Sequence, residues 1–546
     1  MPFKFIQIVI SGFIFLLTLS MPVAANDRLV KSIWIDGHGY DAVLEPNRHL
    51  RIIGSSAAES LAGEHYKGHF PEDPDSWVRI SRLDSGWEGL AFVFGRMHTL
   101  GGSSQSDQAA SFSFSQVEAP QCGVDHVHSE AAITPDSLAD MATVQAVSAN
   151  YDTLCADKVD GVCLMMELEL AFDQQFQSNF PKDYESRAGA ILNMVEGFYA
   201  DQFGIVFDTL SLTFMGEELF DSTLDAESLL NDITSKRGNR EISFLESEQS
   251  IFHFVSGRNF EGSTAGVAWV GTICSGSGNA TGITNAFDSN ATTAVVVAHE
   301  IGHNLGAGHD GTGTSCEAGK NIMSPYVDSS ATSFSNCSFQ QITERISNLP
   351  AVEQCFNFPA DAAILDVDGN PLEVEPGASF QTNFNVAYRQ AAEPADGLTI
   401  TGMIGESEGQ LQGVSIDGNS CTLLDDTSFS CNGVAARANL PLSVNAVAGS
   451  SPTFTLLQNV TLTTSTGDVK DIRPDNDSLL SEITIASSET SEPDDQDGAG
   501  TSATPRKTDA DTSESGSSSG GGGGAIHWLW LLLGIAGAAI HRRSLA

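Results

Sequence analysis

The chain has 546 residues, room for about three domains of ordinary size. Its formal net charge of −44 argues against nucleic acid as a partner and fits solubility in a salty medium or weak cation binding. Nine cysteines read as disulfide pairs with one left over, provided the chain is exported.

Residues 1–25 read as a signal peptide: Lys4, an apolar run from Phe5 to Leu19, and Val23-Ala24-Ala25 before a cut at Asn26. Short alternating segments such as Leu29 to Ile35 and Trp87 to Phe94 then predict a β-rich module. Within it, Tyr40-Asp41-Ala42-Val43-Leu44-Glu45-Pro46-Asn47-Arg48 and His65-Tyr66-Lys67-Gly68 resemble the prodomain of adamalysin (reprolysin, ADAM-type) metalloproteases. Pro120-Gln121-Cys122-Gly123-Val124 follows where such a prodomain would end. A thiolate is a strong zinc ligand, and the stretch is similar to the cysteine switch that keeps zinc proteases inactive as zymogens. A cysteine paired in a disulfide is the other reading. The prodomain and its switch are expected over 26–150.

Cys155 and Cys163 bracket a short acidic turn that suits a local disulfide. Leu164 to Asp173 alternates as a strand should, and 184–202 carries Ala188, Ile191, Leu192, Val195, Phe198 and Tyr199 at helical spacing. Phe203 to Phe214 reads as a second strand and Ser222 to Arg237 as a second amphipathic helix. This order predicts an α/β domain over 151–358, a mixed sheet plus a zinc helix. Gly262 to Cys274 is apolar and β-branched between glycines. It fits either an edge strand that holds an extended peptide or an ordinary core strand. It also resembles the adamalysin strand just upstream of the zinc helix.

His299-Glu300-Ile301-Gly302-His303-Asn304-Leu305-Gly306-Ala307-Gly308-His309-Asp310 is the most informative stretch. Histidines four apart on a helix share a face, so His299 and His303 can reach one metal. Gly306 and Gly308 let the backbone turn and bring in His309 as a third ligand. Three nitrogens leave one tetrahedral position open, the pattern of a catalytic zinc. Glu300 is placed to take a proton from water that the metal acidifies. Thr292-Thr293-Ala294-Val295-Val296-Val297-Ala298 leads in, with a threonine as the expected N-cap; its β-branched residues need burial to stay helical.

Asn321-Ile322-Met323-Ser324-Pro325-Tyr326 then resembles the methionine turn of metzincins, with Met323 as an apolar floor below the metal. Asp310 is the adamalysin choice after the third histidine, and Phe334-Ser335-Asn336-Cys337-Ser338 resembles the segment that follows the adamalysin Met-turn. By family pattern Cys316 pairs with Cys337 and Cys274 with Cys355. With Cys155–Cys163 and Cys421–Cys431 this leaves Cys122 alone. The resemblance also implies a structural Ca2+ near Glu167. Ser250 stands where the family's aspartate is expected, which argues against calcium there.

Residues 360–486 shift to Val, Thr, Ser, Leu and Asn, with segments such as Ser379 to Tyr388 and Thr453 to Thr464 alternating at period two. A β-sandwich is expected, with Cys421 and Cys431 stapling a hairpin; it fits a binding module or a plain spacer. Residues 487–524 are an acidic Ser/Gly-rich linker expected to be disordered. Residues 525–546 carry an apolar run from Ala525 to Ile540 and then His541-Arg542-Arg543. Glycine run, apolar helix and terminal arginines together resemble the GlyGly-CTERM sorting tail of Gram-negative bacteria, cut by an intramembrane serine protease of the rhomboid type. A permanent transmembrane anchor is the other reading. Residues and resemblance together imply a secreted or surface zinc endopeptidase acting on extracellular proteins and peptides, made as a zymogen. The rival is a surface adhesion protein carrying a catalytically residual metzincin domain.

Overall fold

A computed structural model describes residues 28–47, 50, 64–101, 110–111, 121–123, 150–242, 250–275, 277–319, 321–326, 331, 333–392, 395–465, 469–474 and 476–486. The expected signal peptide, the linker over 487–524 and the sorting tail over 525–546 lie outside these residues. Among the described residues, no helix is long and apolar enough to cross a membrane.

The N-terminal part is a meander of antiparallel strands: β1 (Leu29–Ile35), β2 (His38–Pro46), β3 (Glu64–Phe70), β4 (Asp73–Leu83), β5 (Gly86–Val93), β6 (Arg96–Leu100) and β7 (Ala110–Ser111). Asp36-Gly37 and Phe94-Gly95 take positive φ at two of the sheet's two-residue hairpin turns, the conformation that matches the twist of the strands. Alternation sends Ile33, Ala42, Leu44, Val78, Ile80 and Ala91 to the sheet's own core. The opposite face of β4 is buried as well: Trp77 and Leu83 belong to the apolar cluster of the following helices.

A short strand, β8 (Gln121–Cys122), comes next, and then a mixed sheet with its helices. The strands are β9 (Leu164–Phe172), β10 (Ile205–Phe214), β11 (Ile251–Ser256), β12 (Thr264–Ala268) and β13 (Thr281–Asn285). The helices are α1 (Gln174–Asn179), α2 (Tyr184–Phe203), α3 (Ala226–Gly238), α4 (Asn290–Asn304) and α5 (Asn336–Ser347). β10, β9, β11 and β13 are parallel neighbours in that order; β12 closes the edge antiparallel to β13, and β8 lies beyond it, parallel to β12. β9 alternates in sequence, yet eight of its nine residues are buried, as a parallel strand covered on both faces requires.

Three local readings shift. Phe203 ends α2, and Gly204 behind it takes the left-handed conformation (φ 68°), so the strand starts at Ile205. The second expected helix starts at Ala226 rather than Ser222, because the Asp225 carboxylate accepts from Ser228 N and caps it there. The third concerns the boundary expected between 358 and 360, which falls inside one strand. β14 (Phe356–Asp366) pairs at Phe356 and Asn357 with β9 and, from Ala360, with the strand Ser379–Gln390.

From β14 onward two mainly antiparallel sheets pack face to face. One contains Ser379–Gln390, Gly409–Ile416 and Asn439–Ala448; the other Gly397–Ile404, Ser428–Val434, Thr453–Thr463 and Ser478–Ile485. Phe384, Val386, Leu442, Leu398, Ile400 and Phe454 share their core, and Phe380 meets Phe454 edge-on with ring centres 4.9 Å apart.

His253 in β11 is fully buried, its Nε2 3.0 Å from Thr284 Oγ1. Burial lowers its pKa to about 3, against about 6.5 in an unfolded chain. Below pH 6.5 the unfolded state therefore takes up a proton that the folded state refuses, and stability falls as pH drops toward 3. For this group the slope is roughly 1 kcal/mol per pH unit. In urea titrations between pH 6 and 4, His253→Met is expected to remove about one proton's worth of that slope; an unchanged slope would exclude the assignment.

Candidate metal centre

α4 is built against its own propensities. Its run of threonine and valine is stiff at χ1 and favours strands, and all fifteen residues are buried. Packing and a few polar ties hold it instead. The Tyr199 hydroxyl of α2 donates to Ala298 O at 2.6 Å. Asn304 Nδ2 donates to Trp269 O at 2.9 Å and Thr281 O at 3.1 Å, fastening the helix end to the edge of the sheet. The N-cap is Ser289, whose hydroxyl accepts from Thr292 N at 3.2 Å, and not a threonine as expected. Asn290 is already helical, so the threonines fall inside the first turn, and Thr293 instead binds Phe287 N at 3.0 Å.

The helix ends at Asn304, and Gly306 (φ 108°) turns the chain away. Gly308 needs no positive φ; its N–H donates to the Gln341 side chain of α5 at 3.0 Å. The turn delivers His309 beside the two helical histidines. The Nε2 atoms of His299, His303 and His309 lie 3.0, 3.3 and 3.2 Å from one another. His299 Nδ1 bonds Ile322 O at 2.6 Å and His303 Nδ1 bonds Ala307 O at 2.7 Å. A carbonyl only accepts, so both Nδ1 atoms carry the proton and both Nε2 lone pairs face inward. Burial, with the neighbouring histidine charges adding to it, holds His299 at about 3 and His303 well below its ordinary value. These imidazoles are neutral, the form that binds metals.

Cys122 Sγ lies 3.4 Å from His303 Nε2, and the four ligand atoms fall within 4.8 Å of one another. A tetrahedron with nitrogens about 2.0–2.1 Å from its centre has edges of about 3.3 Å. The observed spacings are close to that, and converging lone pairs without a donor between them call for a cation. Glu300 is buried beside them, Oε1 without a partner and Oε2 3.7 Å from Cys122 Sγ. Burial raises its pKa to about 8, against a smaller opposing effect of the Cys122 contact.

The approach of Cys122 follows from backbone pairing. Cys122 N donates to Pro325 O and Gly123 N to Gly266 O, each at 3.0 Å, so residues 121–123 lie between edge strand β12 and the chain after Met323. A Cβ on Gly266 would come within 2.6 Å of Glu300 Oε1 and 2.8 Å of Ile283 O, so only glycine leaves room for the carboxylate. Met323 is fully buried under α4, where a Cβ on Gly302 would come within 2.7 Å of its sulfur. Asp310 ties the loop together: its N–H donates to Met323 O at 2.9 Å, and its Oδ1 accepts from the Ser335 hydroxyl at 2.6 Å. Ser335 also caps α5.

The disulfides are Cys155–Cys163, Cys274–Cys355, Cys316–Cys337 and Cys421–Cys431, and Cys122 belongs to none of them. Of the residues weighed for calcium, Glu167 sits 3.7 Å from the Lys470 ammonium and the Ser250 hydroxyl donates to Cys355 O. Tyr199, Gly266, Asn304 and Gln341 were not singled out in the sequence. Their only signals are a tyrosine among apolar helix positions, one more glycine in a glycine-rich run, and polar residues of ordinary kind.

Residues 165–335 match the family model described as Metallo-peptidase family M12. The chain is also similar to a solved structure, metalloproteinase-II from Bacteroides fragilis, at 11% identity and a TM-score of 0.37, over 59% of this chain and 92% of that one. The motif, the buried histidine cluster and the matched span fall in one place, and residues 165–335 match metallo-peptidase family M12 in a way consistent with a reprolysin-like metzincin domain.

Proposed function

We propose that the chain is an adamalysin-like zinc endopeptidase, made as a zymogen whose switch is Cys122. The observation that carries this is the convergence of three buried imidazole nitrogens, a buried carboxylate and one thiol on a single point at the sheet edge. His299, His303 and His309 would hold a zinc ion, which would supply Lewis-acid chemistry toward water and the scissile carbonyl. Glu300 takes the proton of the attacking water and passes it to the leaving amine. β12 offers its outer edge to an extended peptide through main-chain hydrogen bonds, the place now taken by residues 121–123. Cys122 would join the three histidines as a ligand and keep water out.

On this reading residues 26–150 are the propeptide. The chain is exported after loss of residues 1–25, and a sorting protease removes the tail at 525–546. The mature enzyme is secreted or surface-attached and cuts extracellular proteins or peptides; a calcium site is not part of the proposal.

Glu300→Gln is expected to keep stoichiometric zinc and a native thermal transition while peptidase activity falls by about 10²–10⁴. Normal casein hydrolysis by that variant would refute the mechanism. Cys122→Ala should be active as the uncut chain, where the wild type is silent; equal silence of the two, with an active processed form, removes the switch. Gly266→Ala in the processed enzyme should lower kcat at least tenfold with zinc content unchanged, since the new methyl displaces the Glu300 carboxylate. Unaltered turnover would show that the carboxylate has room to spare.

A further inference from the structure

α2 carries none of the three histidines, yet it reaches His299 by two routes. The first runs through α4. The Tyr199 hydroxyl donates at 2.6 Å to Ala298 O, the carbonyl directly before His299. In a helix that oxygen is also the acceptor for Gly302 N–H. The second route runs through the chain after Met323. Gln202 Nε2 donates to Phe334 O at 3.1 Å and Gln202 Oε1 accepts from Phe334 N at 2.6 Å, so one side-chain amide pairs with this backbone as a strand would. The neighbouring Ser333 O accepts from Ile322 N at 2.9 Å, and Ile322 O takes the His299 Nδ1 proton at 2.6 Å.

Tyr199 and Gln202 stand at i and i+3 on α2, hence on one face. The bonds therefore close a ring, from His299 through Ile322, residues 333–334, Gln202, one turn of α2, Tyr199 and Ala298 back to His299. Aromatic packing backs the ring, with Phe334 centred 5.3 Å from Tyr199 and 5.4 Å from Phe203. Burial holds α4 against its neighbours without direction, whereas hydrogen bonds fix roll and slide. Little movement is tolerable here. Gly266 leaves room for the Glu300 carboxylate on one side, and on the other Gly302 passes Met323 and Phe334 too closely for a Cβ.

We propose that Tyr199 and Gln202 are positioning residues of the metal centre. α2 holds the helix that carries His299 and the carbonyl that orients its ring as one unit, and so sets the direction of the His299 Nε2 lone pair. This assignment rests on the zinc reading above. Because the bonds form a ring, opening it at either residue frees the same motion. Loss of both then adds little to loss of one, whereas independent contacts add their effects.

The test uses the full chain loaded with Zn2+ or with Co2+. Zinc loss to a chromogenic chelator and the visible absorption of the cobalt form are compared for wild type, Tyr199→Phe, Gln202→Met and the double variant, with thermal transitions alongside. Phenylalanine at 199 keeps the ring packed among Phe203, Phe207 and Phe334. Tyr151→Phe is the control, since the Tyr151 hydroxyl is another buried donor, to Phe203 O at 2.9 Å, at the end of the same helix but outside the ring of bonds. Each single variant is expected to lose zinc about tenfold faster and to displace the cobalt bands, while its cooperative thermal transition persists. The double variant should stay within about twofold of the faster single one, and Tyr151→Phe within about twofold of wild type. Zinc loss at the wild-type rate in both single variants overturns the proposal. So does a double variant in which the two effects multiply, or a Tyr151→Phe chain that loses zinc as fast as Tyr199→Phe. A folded wild-type chain that takes up neither metal is a different failure: it refutes the zinc reading itself, and the positioning role falls with it.

Discussion

Two backbone carbonyls decide the chemistry of the centre. Ile322 O and Ala307 O each take the Nδ1 proton of a histidine, and in doing so commit both Nε2 lone pairs to one point. Much of the surrounding structure serves to keep those carbonyls in place. Ile322 belongs to the turn whose methionine lies under α4, and that turn is tied by Asp310 to the start of α5. Ala307 is in position because Gly306 takes a positive φ directly after the helix, with Ala307 N bonded back to Gly302 O. Three buried imidazole nitrogens that converge on one point, two of them as lone pairs fixed by carbonyls, form a ligand set for a cation.

What could be read from sequence was local. The histidines, Glu300 and Gly306 stand at offsets set by helical geometry and one sharp turn, so their meeting requires no knowledge of the rest of the fold. Met323 and the pairings of Cys274 and Cys316 came from resemblance, since spacing cannot choose among disulfide partners. The misreadings were also local. Thr292, Thr293 and Ser289 all carry a cap-forming hydroxyl, and the choice among them turns on where the backbone leaves the extended region. The domain boundary was placed where composition shifts, but hydrogen bonding continues through β14 without regard to composition.

Long-range burial was the illegible part. Asn193 and Glu196 sit on α2 between apolar positions and look like the solvated side of an amphipathic helix. Both are fully buried, because strands from a distant part of the chain supply their partners. Such polar residues are expensive to bury unless every atom is answered, so they report an interface more reliably than the leucines around them. Glu196 also accepts from Phe207 N, where the pairing of β10 with β9 becomes irregular. One carboxylate thus serves the strand, the helix and the docked sheet.

The single strand Phe356–Asp366 has a mechanical meaning. Its first residues are hydrogen-bonded to the metalloprotease sheet and its last to a C-terminal sheet. Arg389 and Arg473 both reach Asp160, inside the loop closed by Cys155–Cys163, at 3.1 and 3.0 Å. A shared strand braced by two cations behaves as a girder rather than a hinge. The sheet that carries the metal centre and the C-terminal sheet are therefore joined at one set distance and angle through a continuous strand.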